Sequence, residues 1–238
     1  SGLPVTPAVG DASKTLTVDE FFLGIGLPAE EVKKLVEPGD PVTMARTTER
    51  VGNNVLSKTL DDRVGVFIML EALRRVQELG EHECDIIAVA TVQEEVGLRG
   101  AITAAYHLEP DVGIAIDITM AVDHPNSTPR EYVSELGKGI GLKIKDGYSI
   151  SSPPLLRHFR EVAKAHDIPY QLEMLPFSGS DAAAFHLSRG GVHAITLTVP
   201  VRYVHTPNET AAWSDIEGSI ELLAQYLMVA HTGDYAYK

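Results

Sequence analysis

Two rhythms of apolar residues run along the chain. Val64, Phe67, Ile68, Leu70, Leu73 and Val76 recur at helical spacing, which predicts an amphipathic helix over Val64–Gln77. Asp85–Val92 (Asp-Ile-Ile-Ala-Val-Ala-Thr-Val) and Val112–Ile118 are instead continuous apolar runs, the pattern of central strands buried on both faces. Helices are expected at Ala101–Tyr106, Pro154–His166 and Ser180–Ser188, and strands at Tyr170–Leu175 and Val192–Val199. Ser214–Thr232 reads as a closing helix, with Ser214 and Glu217 spaced as a capping box. Strands alternating with helices predict an α/β domain over residues 51–238, a sheet covered by helices on both sides.

Residues 1–50 have another texture. Pro4, Pro7, Gly10, Pro28, Pro38, Gly39 and Pro41 interrupt short apolar runs. Strands are expected at Phe21–Ile25 and Asp40–Met44, with a short helix at Pro28–Val36 that opens on proline and two glutamates. This predicts part of a small β-rich subdomain, incomplete at its start.

Composition narrows the choice of function. In 238 residues, 44% are hydrophobic and 22% charged, enough for a sizeable core and unlike a disordered chain. No apolar run is long enough to span a bilayer, and the N-terminus has no basic region followed by an apolar core. A formal net charge of −13, without a basic patch, argues against nucleic acid as a partner. The single cysteine, Cys84, excludes an intrachain disulfide and fits a reducing cytoplasm.

Functional groups in such a fold gather in loops at the carboxyl ends of strands. Asp61-Asp62 precedes the helix at Val64, where acidic residues also suit an ordinary helix start. Glu94-Glu95 follows an apolar run directly, and crowding like charges there is costly without a cation or proton. Asp117 closes a second apolar run, and His205 follows a third. Each signal has a bland reading by itself. Together, Asp61, Glu95, Asp117 and His205 form an oxygen and nitrogen donor set suited to zinc, and also to cobalt or manganese. Glu94 would remain unliganded beside the metal, placed to accept a proton from an attacking water and return it to a leaving amine. The other eight histidines, His82, His107, His124 and His186 among them, lack such a setting.

Five strings carry a resemblance. Leu60-Asp61-Asp62-Arg63-Val64-Gly65, Gln93-Glu94-Glu95-Val96-Gly97, Ile116-Asp117-Ile118-Thr119, Gly179-Ser180-Asp181-Ala182 and Arg202-Tyr203-Val204-His205-Thr206-Pro207 occur in this order. With Asp40-Pro41-Val42-Thr43 and Leu136-Gly137-Lys138-Gly139, they resemble the tetrahedral aminopeptidases, di-zinc glutamyl or deblocking enzymes sometimes named cellulases. The likeness extends from about Val18 over nearly the whole chain. It implies a zinc-peptidase sandwich with a mixed central sheet flanked by helices and an inserted β-barrel-like subdomain. It also implies roles: Asp61 bridging two metals, Glu95 and His205 completing one site, Asp117 serving the other, and Glu94 as general base and acid. A cis Asp61–Asp62 bond, short peptide substrates and a twelve-subunit tetrahedral shell belong to the same expectation.

One departure qualifies the resemblance. Members carry an earlier Ala-His-x-Asp-Glu-like motif whose histidine holds the first metal, and this chain has no histidine before His82. The resemblance therefore implies a catalytic domain whose first part lies outside this sequence. Other readings are a deacylase of small N-acyl metabolites, a glycosidase acting through paired carboxylates, and a catalytically incomplete metal-binding fragment.

Overall fold

The computed structural model describes residues 22–235. The described residues fall into two compact units that divide between Thr47 and Thr48. In the first, α1 (Ala29–Leu35) follows Pro28, carries Glu30 and Glu31 in its first turn and Lys33 and Lys34 in its last, and so complements its own dipole. The expected β-rich character does not appear among the described residues of this unit. Asp40–Met44 forms no strand, and Phe22–Ile25 forms none; Phe21 lies outside the described residues. Val42 and Met44 are 63% and 65% exposed. Their pattern suits a strand, but a strand needs a neighbour's N–H and C=O groups, and no described segment ladders with them.

The second unit is built on a mixed seven-stranded sheet. Its elements are β1 (Glu49–Val51), β2 (Asn54–Ser57), α2 (Leu60–Leu79), α3 (Arg99–Leu108), β3 (Val112–Met120), β4 (Ile140–Asp146), α4 (Pro153–Ala165), β5 (Tyr170–Leu175), α5 (Ala182–His186), β6 (His193–Arg202), β7 (Glu209–Ala212) and α6 (Trp213–Val229). β6 is the spine. It pairs parallel with β3 along its length, from His193 opposite Val112 to Val201 opposite Met120. It also pairs antiparallel with β4 at Thr198–Leu197 and with β7 at Val201–Arg202. β5 adds to β4 in parallel, and the β1–β2 hairpin adds antiparallel to β7.

The core lies between this sheet and α2, α4 and α6. Val64, Ile68, Ala72 and Val76 of α2 meet Leu155 and Phe159 of α4, Leu222, Leu223 and Tyr226 of α6, and Ile195, Leu197, Val199 and Val201 of β6. Phe159 stacks on Tyr226 with ring centroids 3.9 Å apart. A second, polar layer lies within the sheet. Lys143 and Glu173, on neighbouring strands and almost fully buried, pair at 3.3 Å, and Glu173 also accepts the Thr119 hydroxyl at 2.8 Å and that of Thr198.

Two further expectations are corrected. Asp85–Val92 is not a strand: Ile87 and Val92 are 59% and 66% exposed, and only Ile86 packs against the core. Among the described residues, the edge of β3 away from β6 has no ladder partner, and neither has this apolar segment. The capping box at Ser214 is also absent. Glu217 takes the Trp213 indole N–H, and Ser214 Oγ accepts from Asn53 Nδ2 at 3.0 Å, so both side chains serve the β1–β2 turn and the helix entry instead. No described helix is long and apolar enough to cross a membrane.

Candidate metal centre

Four chain segments deliver the candidate groups, and three of them depart from regular backbone at the delivery point. Before α2, Thr59 adopts a left-handed conformation (φ 55°), and Asp61 and Asp62 have non-helical angles. The Asp61–Asp62 peptide bond is cis, as the resemblance implies. The Asp62 carboxylate then folds back over Gly65, where any Cβ would lie 2.5 Å from Asp62 Oδ2. That contact explains the glycine in the Asp-Asp-Arg-Val-Gly string.

In the second segment, Gln93 has φ 59° and Glu94 turns the chain, its carbonyl accepting from Gly97 and Leu98 as α3 approaches. Asp117 sits inside β3, and its Oδ1 accepts the Ile118 N–H at 2.7 Å. His205 lies in the turn between β6 and β7, and both it and Tyr203 have φ 61°. Non-glycine residues with positive φ are uncommon. Here they flank three of the four segments, and such outliers cluster where a site requires a fixed geometry.

These segments bring Asp61, Glu95 and His205 together. His205 Nε2 lies 2.9 Å from Asp61 Oδ2 and 3.5 Å from Glu95 Oε1. A second group shares Asp61: one donor atom from each of Asp61, Asp62 and Asp117 lies within 4.8 Å of the other two. Among the described residues no other histidine joins such a group, and Cys84 does not. The resemblance implied Asp61 between two metals, with Asp117 at the one that Glu95 and His205 do not serve, and gave Asp62 no role; the structure groups Asp62 with Asp61 and Asp117. The signal at Asp62 was weak, because an acid at a helix start needs no metal to explain it.

The electrostatics state what the cluster lacks. Burial raises Asp61 to about 6, with further pressure from Glu95 and Glu209 and partial relief from His205. Burial also raises Asp62 and Asp117; the other carboxylates push both higher, and Lys143 offsets only part of the effect on Asp117. Glu94 rises to about 7, first by burial and then through Asp181, Glu95 and Asp61. Asp62 Oδ1 and Asp181 Oδ1 are buried without a hydrogen-bond partner. Four carboxylates crowded in this way can ionise together only if cations neutralise them. The two groups offer different donors for a divalent cation, one mixed nitrogen and oxygen and one oxygen alone.

Two residues complete the picture: Glu209, which the sequence reading passed over, and Asp181, which it quoted in a string without a role. Glu209, 2% exposed, accepts the His205 N–H through Oε1 at 2.9 Å and the Asp61 N–H through Oε2 at 3.1 Å. Asp181 accepts the Thr91 hydroxyl at 2.6 Å and faces Glu94 electrostatically. A charged residue heading the short run Glu209-Thr210-Ala211-Ala212 was the available signal for Glu209.

Comparison with known proteins identifies the family. The family model of the M42 glutamyl aminopeptidases matches residues 6–222. A putative aminopeptidase of Acetivibrio thermocellus is 41% identical over 213 residues, 89% of this chain and 63% of that protein. The structure of aminopeptidase APDkam598 from Desulfurococcus kamchatkensis superposes with a TM-score of 0.87 at 38% identity, over 91% of this chain and 61% of that one. A Pyrococcus horikoshii TET1 peptidase, described as assembling into a tetrahedron or a large octahedral shell, superposes with a TM-score of 0.81 at 28% identity, covering 95% and 66%. The chain thus spans about three fifths of the length of the relatives it matches. A mixed sheet flanked by helices, a carboxylate-rich donor cluster and a match over most of the sequence converge on one conclusion: the chain belongs to the M42 glutamyl aminopeptidase family.

Proposed function

We propose that this chain carries the metal-binding part of an aminopeptidase that removes the N-terminal residue of short peptides, with Glu94 as the proton-transfer group. The observation that carries the reading is the sharing of Asp61 between two donor clusters beside a half-buried, unliganded Glu94. Asp61 would bridge two divalent ions, zinc by donor chemistry, with cobalt or manganese compatible. Glu95 and His205 would complete one site, and Asp117 with Asp62 would line the other. When bound, the ions polarise the scissile carbonyl and lower the pKa of the attacking water.

The residues of the chain do the rest. Glu94, which sits near pKa 7 in the metal-free site, would be drawn toward its basic form by neighbouring cations. It accepts the proton of the attacking water and delivers it to the amine that leaves. Thr91 and Asp181 set its surroundings. Family membership supports an oligomeric enzyme, and the shell-forming TET1 relative supports a closed homo-oligomer that admits short peptides. A cytoplasmic setting fits the single cysteine.

The test is Glu94→Gln, an isosteric change that removes the proton acceptor alone. Turnover of an aminoacyl anilide should fall ~10²–10⁴-fold, with bound metal unchanged by elemental analysis. Turnover within a few-fold of the parent would refute the assignment.

A further inference from the structure

We propose that Glu209 is a positioning residue that fixes the mixed-donor metal site by holding two of its ligands by their backbones. The inference rests on the metal-site reading above. Asp61 and Glu209 are 148 positions apart in the chain, and His205 belongs to a separate turn. A single buried carboxylate nevertheless takes one N–H from each ligand residue, at 2.9 and 3.1 Å. Both bonds are charge-assisted, and their two acceptor atoms share one rigid group. They therefore fix the separation of two backbones, where a metal alone would fix only the side chains.

The placement is specific. Glu209 opens β7, and its position is set by pairing with Ser57 of β2, two residues before Thr59. The hairpin partner β6 fixes the other end of the turn through Arg202 and Thr210. His205 has φ 61° and lies in the turn outside the β6–β7 ladder, where its N–H donates to Glu209 rather than to a strand neighbour. The Asp61 N–H lies next to non-helical backbone and also donates to Glu209. The result of this double hold is the 2.9 Å approach of His205 Nε2 to Asp61 Oδ2. Glu209 itself lies outside both donor groups, so it acts through the ligands it holds.

Asp215 provides an internal control. It is also buried, and it also takes two backbone N–H groups, from Gly137 at 2.7 Å and Gly139 at 2.9 Å, but it touches no candidate ligand. The experiment measures zinc affinity of the chain by competition with a chromophoric chelator, and the absorption bands of the cobalt-loaded form, for the parent, Glu209→Gln, Glu209→Ala and Asp215→Asn. Metal-free melting temperatures are recorded for all four. Gln keeps one acceptor and Ala keeps none, so the tightest zinc site should weaken in the order parent, Gln, Ala. The Gln variant should lose ~10–100-fold, the range typical when a partner that orients a ligand is removed, and its cobalt bands should shift. Asp215→Asn should lower the melting temperature and leave zinc affinity within about threefold. Glu209→Gln with parental zinc affinity, or equal weakening in Glu209→Gln and Asp215→Asn, would overturn the role of Glu209. A parent chain that binds no zinc would overturn the metal-site reading itself and this inference with it.

Discussion

The two donor groups that share Asp61 are built on opposite principles. Asp61, Glu95 and His205 form a group open to solvent, with Glu95 and His205 side chains 60% and 66% exposed and an imidazole among the donors. Asp61, Asp62 and Asp117 form a sunken group of carboxylates only, pressed against α2 and β3. In the open group, water can reach Glu95 and His205 when no metal is bound, and only the shared Asp61 is largely buried. In the sunken group burial raises every carboxylate, and Lys143 compensates only in part. The open group is therefore a binding site that can wait empty, whereas the sunken one is a charge defect that a cation or protons must fill.

The largest effect should come from the residue that the groups share. On the proposed metal-site reading, Asp61→Asn takes a donor from both at once, and zinc affinity should fall by more than ~100-fold at each, since losing a ligand costs more than losing its orienting partner. Elemental analysis after dialysis against a weak chelator would check this. Retention of either ion would show that the groups are independent.

A sharper division comes from comparing Asp117→Asn with His205→Ala. The first should empty the sunken site, leave zinc at the open site within a few-fold, and raise the metal-free melting temperature. The gain follows because Asn can still accept the Ile118 N–H while carrying no buried charge. Each kcal/mol relieved is worth about 2–4 °C at this size. His205→Ala should do the reverse: lose zinc at the open site and move metal-free stability by no more than ~0.5 kcal/mol, as for an exposed position. Calorimetry with and without chelator separates the two, and equal melting shifts would dissolve the distinction.

The mildest test is pH. Asp61 rises from 3.8 to about 6 and Glu94 from 4.5 to about 7, so the folded metal-free chain binds more protons than the unfolded chain across that window. Stability then falls as pH rises from about 4 to about 7, the opposite of acid denaturation by broken ion pairs. With zinc bound the slope should reverse, because metal competes with protons for the same oxygens. Urea midpoints at several pH values, with and without zinc, would reveal the sign change; parallel curves would count against it.

Much of the fold could be read from local pattern. Tyr170–Leu175 was expected with the bounds observed, and β3, β6, α3 and α4 lie within a few residues of expectation. What escaped depends on distant partners. β4 carries Lys143 and Lys145 and looks like a surface strand until Glu173 is placed beside Lys143. β7 is four residues long and means little without β2 and β6 on either side. The error at Asp85–Val92 is the converse: strongly apolar sequence forms a strand only where a ladder partner exists, and periodicity does not report partners. At the candidate site, Asp61, Glu95 and His205 could be singled out because each lies within a recognisable string, and the structure brings the three together. Glu209 could not, because its contribution lies in two backbone hydrogen bonds, one to His205 four residues earlier and one to Asp61, 148 positions away.

The left-handed residues beside the ligands have a consequence for protein engineering. Thr59, Gln93, Tyr203 and His205 occupy conformations that favour glycine, and each carries a side chain nonetheless. An L-residue in that region costs about 1–2 kcal/mol, and glycine returns roughly 0.5–1 kcal/mol of that as extra freedom in the unfolded chain. Any search for a hardier variant will thus be drawn to these four positions first. A stability screen that ignores metal occupancy would enrich changes that loosen the turns on which the proposed ligands are mounted. Selection for robustness and selection for catalysis would act on the same residues in opposite directions.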